Sequence, residues 1–419
     1  MSETLVQRLR ARGFLPPDYS GGGLLNIPAT VLDICGARGP ADPPPLRGVE
    51  PELLSGVRNV VVILADGLGS DQLRRLAAAG DTPFLASILD RARNGDAAQL
   101  LDATTIFPST TAAAITTLNT ARTPQEHGNL AYFVWLEEFA QVAQMLRWGP
   151  GNVRRGSFFD DPALDPRRYA RVPSIHRAIR AHGGRPHVIE PELFRNEAMT
   201  RMHAAEAEFL GYVLPSSLGV RLRQLLDGRP TDDAPLYAYA YWAGIDTAAH
   251  FHGPRSPEHA AEAAGLDRNL ERALAGREAG DTLVILTADH GHASVDPARL
   301  VDLEADLELR RLLRNPIAGE PRAVFLHTDR PADVRAYLEN AYPGLFFLID
   351  REEAILAGLF GRGDPTIVRS RVGEILAMLS DDRASTVVRV DGQVVRHRGA
   401  HGGMTPDEMR IPVLLWRAS

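Results

Sequence analysis

Residues 59–65, Asn-Val-Val-Val-Ile-Leu-Ala, form an unbroken apolar run without polar alternation. A strand covered on both faces reads this way, as parallel strands sandwiched between helices do. Residues 236–243 and 282–287 repeat the pattern, and 322–327, 345–349 and 411–416 give shorter versions. Between these runs, helix-spaced apolar positions occupy 70–80, 83–93, 111–118, 174–182, 198–226, 256–278 and 331–340. Alternation of strands with helices predicts an α/β fold with a largely parallel central sheet flanked by helices.

Punctuation sets the expected organisation. Pro16-Pro17, Gly21-Gly22-Gly23 and Pro43-Pro44-Pro45 make residues 1–56 an irregular N-terminal leader. Residues 57–419 form the main domain, with insertions expected at 135–235 and 315–380. The second insertion carries its own strand–helix–strand pattern over 322–349.

Composition narrows the function classes. With 419 residues and 44% hydrophobic content the chain can bury a large core, and 24% charged residues is the usual globular share. Net charge is −7 without a basic block, so no nucleic-acid polymer is expected as a partner. All 46 basic residues are arginine, which excludes a catalytic lysine. Cys35 is alone, so no internal disulfide forms. Arg8, Arg10 and Arg12 are not followed by an apolar stretch, and no run reaches the roughly 20 apolar residues of a membrane helix. The expectation is a cytoplasmic enzyme with no membrane partner; oligomeric state is not legible.

The chemistry gathers where strands end, as sites do in open α/β sheets. Asp66 follows 59–65, Asp246 follows 236–243, and Asp289-His290 follows 282–287. Asp246 and His250, at i and i+4, share one face of a helix, and both residue types ligate zinc. Asp289 and His290 can turn toward one ion on a tight loop opened by Gly291. His292 is a further candidate in a supporting or substrate-facing role, and His252 and His259 read as supporting or solvated. His401 lies among small residues, Gly399-Ala400-His401-Gly402-Gly403, which leave it accessible. Phe107-Pro108-Ser109-Thr110-Thr111 precedes an Ala-rich helix, placing a threonine at the helix start. Capping accounts for such a threonine. The same N-terminus also suits a phosphate.

Taken in order, Leu64 to Gly69, Phe107 to Thr111, Thr123-Pro124-Gln125-Glu126-His127-Gly128, Asp246 to His250, Ala288 to Gly291 and His401 to Gly403 resemble the alkaline phosphatase superfamily. Within it the chain is most similar to the type I phosphodiesterase/nucleotide pyrophosphatase branch, close to phosphonoacetate hydrolase-like enzymes. The resemblance implies two divalent ions, zinc first and manganese next. Asp246, His250 and His401 would hold one ion, and Asp66, Asp289 and His290 the other. It implies a threonine nucleophile sixteen positions before His127, which selects Thr111 over Thr110. Related diesterases place a phosphoryl-binding Asn about five residues past that His; here the position is Tyr132, with Asn129 nearby.

The implied activity is hydrolysis of a phosphodiester or nucleotide pyrophosphate bond through a phospho-threonine, on a small-molecule phosphoester. Phosphonate hydrolysis, phosphomonoester hydrolysis and an inactive metal-stabilised binding protein are the alternatives. Tyr132, Phe133, Trp135, Phe158 and Phe159 are candidates for lining the substrate slot, against a more ordinary core role. Arg154-Arg155 and Arg167-Arg168 read as solvated faces.

Overall fold

The computed structural model describes residues 4–151, 153, 157–159, 161, 164–169, 171–228, 233–276 and 280–418. Arg154 and Arg155 lie outside the described residues.

The central sheet has seven strands in the order Ala98–Thr104, Arg410–Arg417, Thr282–Thr287, Asn59–Ala65, Leu236–Trp242, Arg185–Ile189 and Glu208–Phe209. Six of them run in one direction, and Arg410–Arg417 alone is antiparallel to both its neighbours. The fold is α/β, with a mostly parallel sheet flanked by helices. Every residue of the three middle strands is buried, which accounts for their unbroken apolar runs. Their register is level: Ala65 pairs with Trp242 and Leu64 with Thr287. The loops carrying Asp66, Asp246 and Asp289 therefore leave the sheet at the same height.

A second seven-stranded sheet combines Phe133–Leu136, Gln141–Gln144 and Gly149–Pro150 with Ala318–Glu320, Ala323–Leu326, Phe346–Asp350 and Ile375–Leu379. All its pairings are antiparallel. It has its own core, including Leu136, Trp148, Phe325, Phe360 and Met378.

Three sequence expectations change. Residues 198–226 are two helices, Ala198–His203 and Leu218–Asp227, separated by the short strand Glu208–Phe209. Residues 185–209 supply two strands of the central sheet, so the stretch 135–235 does not lie wholly outside it. Residues 1–56 are not irregular throughout: Leu5–Ala11 and Asn26–Ile34 are helices. The glycine run feeds the second of these, because the Asn26 side chain accepts hydrogen bonds from the Gly21 and Gly23 amides at 3.1 and 3.0 Å. Pro28 sits in its first turn, where a missing N–H breaks no helical bond. No helix among the described residues is long and apolar enough to cross a membrane.

One buried ion pair ties the second sheet to the chain beside His401. Arg322 Nε meets Glu408 Oε1 at 2.8 Å, and both side chains are fully buried. Glu408 also accepts from the Gly403 amide at 2.8 Å and from the Thr405 hydroxyl at 2.6 Å. Removing one partner of such a pair strands a charge and costs about 3–5 kcal/mol. R322M should therefore lower unfolding free energy by about that amount. The E408Q/R322M double variant should recover part of the loss, measured by urea denaturation; equal losses in both would remove the pair from this role.

Candidate metal and active site

Asp246 stands in the first turn of the helix Gly244–His252, and His250 one turn later on the same face. His250 Nε2 lies 3.3 Å from Asp246 Oδ1 and 3.2 Å from His401 Nε2. His401 Nε2 is 3.8 Å from Asp246 Oδ1. Backbone carbonyls set the histidine tautomers. His250 Nδ1 is 2.9 Å from Gly399 O, and His401 Nδ1 is 2.8 Å from Ser109 O. With Nδ1–H donating to a carbonyl, each Nε2 presents a lone pair. Two lone pairs facing each other at 3.2 Å repel unless a cation lies between them.

The second group repeats this logic with more negative charge. Asp66 Oδ1 and Asp289 Oδ2 lie 3.6 and 3.4 Å from His290 Nε2. Both oxygens are buried and have no hydrogen-bond partner among the described residues. The other oxygens are held: Asp289 Oδ1 accepts from the Gly67 amide at 3.0 Å, and Asp66 Oδ2 accepts from the Tyr241 hydroxyl. His290 Nδ1 lies 3.1 Å from Gly291 O, so its Nε2 is also the free nitrogen. The two groups adjoin, with the His290 and His401 rings stacked at 3.6 Å between centroids.

Electrostatics reflect this crowding. Burial pushes the Asp66 carboxyl well above its ordinary range, and the charges of Asp289 and Asp246 add to it. Burial also pushes Asp246 upward, but His250, His292 and His401 outweigh it and hold the carboxyl well below that range. Burial, then the neighbouring His290, His250 and His292, keeps His401 neutral far into acid. His292, fully enclosed, is pushed down to about 3 by burial, and its Nε2 lies 2.8 Å from Asp246 Oδ1.

The residues fit divalent cations. Donors about 2.1 Å from a tetrahedral ion stand roughly 3.4 Å apart, and the separations of 3.2, 3.3, 3.4 and 3.6 Å found here bracket that value. Asp246, His250, His292 and His401 form one group able to hold an ion, and Asp66, Asp289 and His290 another. Mixed imidazole and carboxylate donors suit zinc and are tolerated by manganese.

Thr111 is the first residue of the ten-residue helix Thr111–Thr120, with Thr110 as its N-cap. The Thr111 hydroxyl is 3.1 Å from His290 Nε2. It also faces a cavity of about 400 Å³, bordered by Tyr132 and Tyr241. The Tyr132 hydroxyl receives a bond from the Gln144 amide, and burial pushes it up to about 12, which keeps it a neutral donor.

Asn129 is not brought to the cavity. Its amide nitrogen bonds Ala112 O at 2.9 Å and Thr116 Oγ1 at 3.0 Å, under the first turn of the Thr111 helix. Among the five aromatic candidates, Tyr132 alone borders the cavity. Phe158 packs on Trp148, Phe159 lies under the Arg201 guanidinium, Trp135 neighbours His327, and Phe133 stands edge-on to Tyr132. His252 is half exposed near Glu258, and His259 is buried outside both donor groups. Arg167 and Arg168 are exposed, Arg167 pairing with Asp165 at 2.7 Å. Sequence reasoning missed Tyr241, which sits inside an apolar strand run, and Ser109, which bonds His401 through its main chain and therefore leaves no side-chain signal.

The model of the family described as type I phosphodiesterase / nucleotide pyrophosphatase matches residues 60–404. No protein with a curated description matches the chain. Among solved structures, murine ectonucleotide pyrophosphatase/phosphodiesterase 5 superposes with a TM-score of 0.60 at 16% identity, covering 85% of this chain and 87% of that one. An inactive threonine-to-alanine variant of the same murine protein, in complex with AMP, matches equally well, with a TM-score of 0.60, 16% identity and the same coverage. Phosphonoacetate hydrolase from Sinorhizobium meliloti 1021, in complex with phosphonoacetate, gives a TM-score of 0.58 at 18% identity, covering 86% and 90%. At these identities the structural likeness speaks for the fold.

The raised pKa of Asp66 has a sign that can be measured. A carboxyl whose folded pKa exceeds its unfolded value, about 3.9, makes the metal-free protein lose stability as pH rises through the interval. D66N removes the repulsion and can keep the bond to Tyr241. In chelator at pH 7 it should melt higher than the parent, by about 1 °C for each kcal/mol relieved in a chain of 419 residues. With zinc the order should reverse. Equal melting shifts with and without zinc would show that Asp66 meets no cation.

Proposed function

The chain belongs to the type I phosphodiesterase / nucleotide pyrophosphatase family, and from that premise we propose that it hydrolyses a phosphodiester or nucleotide pyrophosphate bond through a phospho-threonine on Thr111. The carrying observation is the Thr111 hydroxyl, 3.1 Å from His290 Nε2, at a helix start and at the mouth of a cavity.

In this reading Asp246, His250 and His401 hold one divalent ion, and Asp66, Asp289 and His290 the other. When bound, such ions supply Lewis-acid stabilisation of developing oxygen charge and ease deprotonation of hydroxyl and water. The chain's own residues do the rest. The Thr111 oxygen attacks phosphorus, forming the Thr–O–P bond as the bond to the departing oxygen breaks, and the hydroxyl proton passes through solvent to that oxygen, which leaves as the alcohol. Free amides of the first helical turn face the phosphoryl oxygens, where the helix dipole favours negative charge. Tyr132 is a neutral donor at the same mouth and takes the place expected for an asparagine. Water then cleaves the phospho-threonine, returning the Thr111 hydroxyl and releasing the phosphate monoester. His292 steadies Asp246, and Tyr241 steadies Asp66, so both carboxylates meet the incoming charge already oriented. Residues 57–419 form the catalytic domain in this scheme, and the second sheet is its cap. One structural neighbour is described as inactive when a threonine is replaced by alanine, which agrees with a threonine nucleophile here.

T111A should cut turnover of bis-p-nitrophenyl phosphate by about 10⁴-fold or more while leaving metal content by elemental analysis unchanged; T110A should keep most of the rate. Retained turnover in T111A would move attack to another group. Assays of bis-p-nitrophenyl phosphate, p-nitrophenyl phosphate and phosphonoacetate side by side should rank the diester first. A preference for phosphonoacetate would make the enzyme a phosphonate hydrolase.

A further inference from the structure

The cavity at Thr111 carries chemistry that the reaction does not use. Its walls are largely apolar, with Ile115, Leu146, Val188 and Met199 among them. Its volume, about 400 Å³, is in the range of small-molecule sites. Set in those walls are two enclosed polar side chains, Glu190 and His203, which are 9% and 2% exposed. The Glu190 carboxylate accepts one bond among the described residues, from Thr200 Oγ1 at 3.2 Å. Among the described residues no side chain bonds either ring nitrogen of His203; the Met199 main chain acts on the ring, which occupies its one N–H and leaves the other nitrogen without a donor. Buried polar groups with unmet bonding capacity cost stability unless something else satisfies them.

The unmet capacity is of accepting character. Burial pushes His203 down to about 3, so its ring is neutral and keeps a lone pair. Burial lifts Glu190 to about 7, which leaves it poised to become a carboxylate when a cation approaches. A second carboxylate, Glu197, borders the same space. Arg147 is the guanidinium there, and it already donates to Val153 O at 2.6 Å. A space with two carboxyl groups and a neutral imidazole repels a second anionic group on the substrate and draws a donor-rich cation.

Resting on the phosphoesterase reading above, we propose that this cavity is the specificity pocket for a substituent on phosphorus with an apolar body and an amine, received by Glu190 and His203. The apolar walls desolvate the carbon chain. The amine supplies the donors that the two enclosed groups lack, and a hydrogen bond between charged partners in an enclosed site is among the stronger ones.

The test uses the metal-loaded full chain. Diesters of p-nitrophenyl phosphate are prepared with a second ester that is either n-alkyl or ω-aminoalkyl, over about three to eight carbons. At the best chain length the aminoalkyl ester should exceed its alkyl counterpart in kcat/KM by about tenfold or more, the scale of one charged hydrogen bond. In E190Q, which keeps shape and the Thr200 contact, that ratio should fall to about one. Calorimetric titration of the matching alkyl- and ω-aminoalkylphosphonates gives the same comparison without turnover. No amine preference at any length, or a preference that survives E190Q, overturns the pocket assignment. Failure of every diester to turn over, with the amine preference intact in the phosphonate titrations, overturns the phosphoesterase reading and leaves the pocket standing.

Discussion

Lone pairs without donors, converging at the buried end of a parallel sheet, are the constraint on which this structure turns. Among the described residues Asp66 Oδ1 and Asp289 Oδ2 have no hydrogen-bond partner, and three imidazole Nε2 atoms lie beside them or face one another. Left alone, such a cluster opposes folding, because buried carboxylates repel and a buried acceptor without a donor loses its hydration. The surrounding chain is arranged to hold it together. Gly67, at φ +72°, packs so closely that a side-chain carbon would stand 2.9 Å from the His292 ring. At Gly291 a side-chain carbon would meet the Asp407 carbonyl at 2.1 Å. Both turns need glycine for the donors to reach each other.

Rigidity at the cluster is imported from elsewhere. The Ser109 carbonyl orients His401, and the next two residues begin the helix that presents Thr111. The Ser109 hydroxyl donates to the Gly403 carbonyl at 2.9 Å and accepts from the Gly402 amide at 3.0 Å. Glu408 then fixes Gly403, and Arg322 fixes Glu408 from the second sheet. One continuous set of hydrogen bonds thus runs from the second sheet through His401 to the start of the Thr111 helix. The positioning of the Thr111 hydroxyl beside the two donor groups draws on a sheet whose strands lie mostly far away in sequence.

Much of the frame was legible because its physics is local. An unbroken apolar run reports burial on both faces, and 59–65, 236–242 and 282–287 are that case. Strand ends then locate Asp66, Asp246 and Asp289 without further information, and i, i+4 spacing pairs Asp246 with His250. His401 is different: a histidine among glycines says little, and the resemblance rather than the spacing put it with Asp246. The strand Ala98–Thr104 was missed because it lies at the sheet edge and five of its seven residues touch solvent, which erases the apolar run. The second sheet was missed in part because Phe133–Leu136 and Ala318–Glu320 are short and pair across almost two hundred residues. Asn129 was misjudged for a related reason. Its neighbourhood in sequence points to phosphate, but its amide is drawn under the Thr111 helix by carbonyl and hydroxyl acceptors that only the fold brings near.

Charge bears on which phosphoesters such a centre would favour. Asp66, Asp289 and Asp246 would carry three negative charges when ionised, and an imidazole bound to a metal adds none. Two divalent ions would leave the centre with one net positive charge, which a phosphodiester monoanion neutralises and a monoester dianion exceeds. Enzymes that take dianions add positive charge from the protein, typically a guanidinium that binds oxygens in pairs. Among the described residues, no guanidinium is paired with a carboxylate of either donor group. Arg147 is the guanidinium bordering the cavity, and Glu190 and Glu197 border it too. The excess charge of a dianion would therefore meet two carboxyl groups there against one guanidinium. On electrostatic grounds alone the geometry favours a substrate with one negative charge at phosphorus and none on the group that enters the cavity.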